Sequence, residues 1–183
     1  MNAKAMHNPV VAAANCFTAR DIASILRERE WWQGREASTE IAAWMDRAAA
    51  LLGQFAADRA TLAGLLALIF EYDARRTLAR TESHAVLSRM GAREVIRDLG
   101  NRILETPELD SENFKRIIEE MKMAMKWRGR ELFQPIRLAL AGRAGEGELD
   151  RVILVAEEAA RLPFSVRVKG ARERMIEFCA AVD

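Results

Sequence analysis

An all-α helical bundle is the fold this sequence predicts, and three observations carry it. Apolar residues recur at helical spacing along most of the chain. Ala, Leu, Arg and Glu dominate a composition with only four Pro and one Tyr. Gly or Pro punctuates most of the periodic runs. The 183 residues are half hydrophobic and 30% charged, the balance of a soluble globular chain rather than a disordered one. A chain of this length buries roughly 70% of its unfolded surface.

Residues 1–17 carry no clear period, and Asn8-Pro9 reads as a loop. Thr18 suits an N-cap, followed by Ile22, Ile25 and Leu26 at helical spacing and an end near Trp31-Trp32. After a break at Gly34, Ser38 or Thr39 caps a second helix. Its apolar face is Ile41, Trp44, Met45, Ala48, Leu51 and Leu52, and Gly53 ends it. A third helix is expected over residues 57–79. Its first half, led by Leu62, Leu65, Leu66, Ile69 and Phe70, is apolar on most sides and should lie centrally, whereas Asp73, Arg75, Arg76 and Arg80 make the second half polar.

A fourth helix covers residues 82–90 and stops at Gly91, and a fifth covers 92–104 with Val95, Ile96, Leu99 and Ile103 inward. Past Pro107, Asp110 or Ser111 caps a sixth, with Phe114, Ile117, Ile118, Met121 and Met125 as its apolar stripe. Gly129 closes that region. Pro135, in a first turn where its missing N–H costs nothing, opens a short helix to Ala141, and Gly142 sits where a left-handed C′ residue is needed. Residues 149–162 form a further helix stopped at Pro163, and 171–182 a last one. Residues 164–168 alternate like a short strand. A boundary near Thr81 or Gly91 divides the chain into an N-terminal helical subdomain, residues 1–90, with no assignable role, and a second subdomain, residues 91–183.

Several function classes are excluded at this level. The net charge is +1 and the isoelectric point about 7.8, so the global basic field of a typical nucleic-acid binder is missing and RNA affinity must come from a local patch. Cys16 and Cys179 lie far apart without CxxC spacing, which suggests a reducing compartment, and His7 and His84 are too few for a His-rich metal site. The longest apolar run, residues 62–70, is about half the span of a bilayer, and the N-terminus shows no signal-peptide pattern, so a cytoplasmic location is expected. The glycines of residues 142–147 lack a following Lys-Ser/Thr and read as a turn rather than a phosphate loop. Glu119-Glu120 and Glu157-Glu158 are adjacent pairs whose side chains point about 100° apart on a helix, as on solvated faces. No catalytic residue, cofactor or metal ligand is assigned.

One cationic stretch remains. Lys122, Lys126, Arg128, Arg130, Arg137 and Arg143 cluster in sequence, with Glu131, Glu146, Glu148 and Asp150 close by. Arginine forks suit phosphates and the acceptor edges of unstacked bases, and a solvated charged face is the alternative. Trp31-Trp32, Trp44 and Trp127 are candidates for stacking on bases, but Trp44 falls on an apolar stripe and belongs to the core. Trp127, among the cations, is the better stacking residue.

The run Leu132-Phe133-Gln134-Pro135-Ile136-Arg137-Leu138-Ala139-Leu140-Ala141-Gly142, approached by Lys126-Trp127-Arg128-Gly129-Arg130, resembles a segment of the C-terminal anticodon-binding domain of bacterial glutamyl-tRNA synthetases. Leu-Phe, Pro, Arg and Gly fall at that family's spacing. Weaker similarity extends back through Leu109-Asp110-Ser111-Glu112-Asn113-Phe114, so residues 93–153 are covered. The resemblance implies the α-bundle cage of that domain and tRNA as partner. It implies an RNA-binding set of Arg137, whose counterpart contacts anticodon bases, with Leu149, Lys126, Trp127, Arg128, Arg130 and Arg143. The family's Thr-Pro-x-Leu element is Glu146-Gly147-Glu148-Leu149 here, which keeps the Leu and sets a carboxylate where base and phosphate would approach. Lys122-Met-Ala-Met-Lys126 lies mid-helix without the Ser of the synthetase KMSKS signature, and nothing resembles HIGH. The chain is therefore expected not to be an enzyme. Two functions follow. One is a free-standing, non-catalytic tRNA-binding module that lacks the family's catalytic half, with work beside a protein partner carrying that half as a further possibility. The other is a helical protein-interaction scaffold that kept the fold and lost RNA.

Overall fold

The computed structural model describes residues 17–182, so the readings of His7, Asn8-Pro9 and Cys16 lie outside the described residues. Among the described residues the chain is all helical, with no strand. The helices are α1 (Ala19–Glu28), α2 (Thr39–Gly53), α3 (Arg59–Phe70), α4 (Ala74–Leu78) and α5 (Thr81–Leu87). They continue as α6 (Ala92–Glu105), α7 (Ser111–Ala124), α8 (Gly129–Ala141), α9 (Glu148–Ala159) and α10 (Ala171–Val182). No helix among the described residues is long and apolar enough to cross a membrane.

The all-α expectation holds, and the caps follow local chemistry. Ser38 caps α2, its hydroxyl accepting from the Ile41 N–H, and Asp110 caps α7, its carboxylate accepting from Asn113 at 2.7 Å. α1 ends earlier than its apolar period. Glu30 adopts φ 58°, and the Trp31 and Trp32 amides both donate to the Leu26 carbonyl, which turns the chain back and buries both indoles. Trp31 stacks on Phe70 at 4.8 Å, and Trp44, Phe70 and Phe164 meet edge to face, a geometry aromatic quadrupoles favour.

Three expectations need correction. The helix read over residues 57–79 is two, because Asp73 caps α4 through the Arg76 N–H at 2.8 Å and Glu71-Tyr72 turn between them. Residues 164–168 form no strand. One backbone bond ties Ser165 to Trp31, and the Ser165 hydroxyl accepts from Gln33. Pro135 lies inside α8, which begins at Gly129, rather than opening a short helix. Its ring removes the bond to the Glu131 carbonyl, and Glu131 is exposed to solvent.

α8 and α9 lie at the centre. α2 and α3 pack on α9, α6 and α10 pack on α8, and one buried apolar cluster runs from Ile22 to Phe178. The last turn of α8 is wholly enclosed, so its carbonyls, which lack helical donors, need side-chain partners. They have them. Tyr72 donates to Ala139, Arg174 to Leu140, and both Thr77 and Arg80 to Gly142. Gly142 itself takes φ 74°, the left-handed C-cap that directs the chain into the 142–147 loop. The loop therefore leaves from a fixed point.

Candidate nucleic-acid interface

The loop after α8 folds back along that helix, and Arg137 holds it there. Its Nε and Nη2 donate to the two oxygens of Asp150 at 2.8 and 2.9 Å, and Nη1 donates to the Gly145 carbonyl at 2.9 Å. The residue is buried, and its guanidinium also lies 5.0 Å from the Phe133 ring centroid. This planar, bidentate arrangement is what arginine forms better than lysine. The fork is thus engaged within the chain by a carboxylate at the start of α9. Leu149 is fully buried and supports the same loop from below, so close to Gly145 that a Cβ there would meet its Cδ1 at 2.7 Å.

Removing one half of such a pair strands the other. Arg137→Ala should lower stability by about 2–3 kcal/mol, discounted from a fully buried pair because Asp150 is 27% exposed. Arg137→Ala, Asp150→Ala and the double variant, compared by denaturant melts, should give a coupling energy above about 1 kcal/mol. Additive losses would mean that the two side chains do not act together.

The other cations fall into three groups. Lys126 is exposed and sits over the Trp127 ring at 4.7 Å. Trp127 itself is buried, its Nε1 donating to Glu94 at 3.1 Å. Arg128 folds onto its own backbone, donating to the Met125 and Trp127 carbonyls. Arg130 reaches out 78% exposed, 3.8 Å from an equally solvated Glu146, a pair too exposed to hold either side chain. Arg143 is exposed and, among the described residues, has no hydrogen bond or ion pair. The structure thus brings Arg130, Arg137, Glu146, Leu149 and Asp150 together. It leaves Lys126, Arg130 and Arg143 facing solvent, and it commits Arg137, Trp127 and Leu149 to internal contacts.

Beside this loop lies a concavity of about 430 Å³ between α7, α8 and α9. Phe114, Ile118, Phe133 and Leu154 form its apolar floor, and Lys115 and Arg151 stand on its edges. Among the described residues neither cation is in an ion pair. Lys122 is held by Glu119 at 2.7 Å and lies 5.7 Å from the Phe133 centroid. Sequence reasoning missed Lys115, Arg151 and the role of Phe133. Lys115 on α7 and Arg151 on α9 are polar positions beside apolar stripes, Phe133 is on α8, and no local motif joins the three.

An open, aromatic-floored hollow with Lys115 and Arg151 at its edge, and the Asp150 carboxylate also in its lining, can take a planar base on its apolar floor and phosphates at the two cations. A family model described as an anticodon binding domain matches residues 18–153, more than half of the chain and well beyond the 93–153 span that the motif marks. No curated protein and no solved structure matches the chain.

Proposed function

The chain belongs to the anticodon binding domain family, and from that premise we propose that it is a non-catalytic tRNA-binding module similar to the anticodon-binding part of glutamyl-tRNA synthetase. The family match carries this reading. The geometry supports a particular division of labour. Arg137 and Leu149 hold the 142–147 loop, Lys126, Arg130 and Arg143 meet phosphates, and the hollow between Lys115 and Arg151 takes an unstacked base. With a net charge of only +1, affinity rests on these few cations and should fall steeply with salt.

Filter binding of total tRNA at low salt tests it. Lys115→Glu/Arg151→Glu and Arg130→Glu/Arg143→Glu should each weaken binding roughly tenfold or more, and each phosphate contact removed should reduce the salt slope by about 1. Absence of tRNA affinity at low salt, or wild-type affinity in both paired variants, would refute the proposal.

One observation favours a second reading, a helical protein-interaction scaffold. The Arg137 fork is closed on Asp150, and Glu146 projects outward at 70% exposure where RNA would approach. That reading expects no tRNA affinity and a protein partner that stays bound after RNase treatment.

A further inference from the structure

α6 and α10 run antiparallel, with Gly100 against Met175 at one end and Arg93 beside Val182 at the other. Along this seam two concavities, of about 250 and 390 Å³, adjoin through Arg93 and Val182. We propose that the seam is a docking surface for an acidic amphipathic helix of a protein partner.

The floor is aliphatic, formed by Leu78, Leu87, Ile96 and Val182. Arg93 and Arg97 stand on its rim, and among the described residues no Asp or Glu lines either concavity. These two arginines are one turn apart on α6, where like charges repel. Among the described residues neither has a hydrogen bond or an ion pair. Their neighbours behave differently. Arg102 is held by Asp98 and Glu120, and Arg89 by Gln134. An unrelieved cationic pair over an aliphatic trough is complemented by a helix with leucine-type anchors at i, i+3, i+4 and i+7 and carboxylates alongside.

RNA is the competing occupant for two free arginines. Among the described residues no Phe, Tyr or Trp lines either concavity, however, so bases would find no stacking platform there. The surface shares no residue with the hollow between α7, α8 and α9, and its α10 wall lies outside the residues matched by the family model.

The test uses the full chain and a labelled helical peptide with leucines at helical spacing and glutamates flanking them, followed by fluorescence anisotropy. A scrambled peptide of the same composition, a lysine-for-glutamate version and a single-stranded RNA oligonucleotide are the comparisons. The patterned acidic peptide should bind and the scrambled and lysine peptides should not. Arg93→Glu/Arg97→Glu should weaken binding roughly tenfold or more while retaining the helical circular dichroism and tRNA affinity of the parent. Equal binding of the scrambled peptide, or unchanged binding in the paired variant, overturns the proposal. So does loss of the oligonucleotide rather than the peptide in that variant.

Discussion

Arg174→Met is expected to destabilise the fold by about 4 kcal/mol. Arg174 is 1% exposed, yet among the described residues no carboxylate lies within ion-pair distance. Its partners are carbonyls. Nε donates to Lys169 at 2.7 Å, Nη1 to Leu140 at 2.8 Å and Nη2 to Ile69 at 2.8 Å. Leu140 and Ile69 lie in the last turns of α8 and α3, where carbonyls have no helical donor and the helix dipole is negative. One cation therefore terminates two helices at once, with Tyr72 beneath it at 4.6 Å from the ring centroid. Burial pushes its pKa down to about 10, so it remains charged at neutral pH.

Methionine would leave these carbonyls unpaired, at about 1–3 kcal/mol each, and relief of the guanidinium's desolvation offsets part of that loss. Arg174→Lys should recover only part, since one ammonium cannot fork to three separated acceptors. Urea melts decide the matter, and a loss in Arg174→Met below about 1 kcal/mol would show that the carbonyls are satisfied in some other way. The same site reports on alkaline pH, because Tyr72 is the only tyrosine of the chain. Burial raises its phenol above the usual value, with the Arg174 charge opposing. Taken alone, a phenol with a folded-state value above the unfolded one contributes stability that is complete below pH about 10 and declines as pH rises further. The lowered Arg174 works in the opposite sense over the same range, so the two offset and the phenol stays protonated for as long as the chain is folded. Tyrosinate absorbance should thus appear together with loss of the helical signal.

What the sequence made legible was local. The bounds of α10, the left-handed Gly142 and the Asp110 cap each depend on residues within a turn or two, and they stand where periodicity and capping chemistry put them. The break between α3 and α4 was not legible. Apolar spacing continues across it, and the break delivers the Tyr72 hydroxyl to the Ala139 carbonyl, 67 residues away. The site divides in the same way. The motif singles out Arg137, but four carboxylates lie nearby in sequence, and only the fold selects Asp150. Lys115 and Arg151 join the hollow solely because α7 and α9 flank α8. Residues 18–92 belong to the matched span yet carry no local motif, because what they contribute is apolar packing, whose identities are interchangeable as long as volume and spacing are kept.

Gly91→Ala should cost about 3 kcal/mol or more, a large effect for the addition of one methyl group. Two causes combine. Gly91 has φ 85°, a left-handed conformation that disfavours any Cβ by roughly 1–2 kcal/mol. A Cβ there would also lie 2.0 Å from Cε2 of Trp127, so the indole must leave its place. Moving it breaks the bond from Nε1 to Glu94 and exposes a ring that is now only 8% accessible. The indole thereby fastens the Met125–Arg128 connection, and with it the start of α8, onto the start of α6. The steric part separates from the backbone part in a cycle with Trp127→Leu. Trp127→Leu alone should destabilise through lost packing, and adding Gly91→Ala to it should then cost only the positive-φ share, roughly 1–2 kcal/mol. A full, unchanged cost of Gly91→Ala in the leucine background would place the strain in the backbone alone and remove Trp127 as the clasp between the two helices.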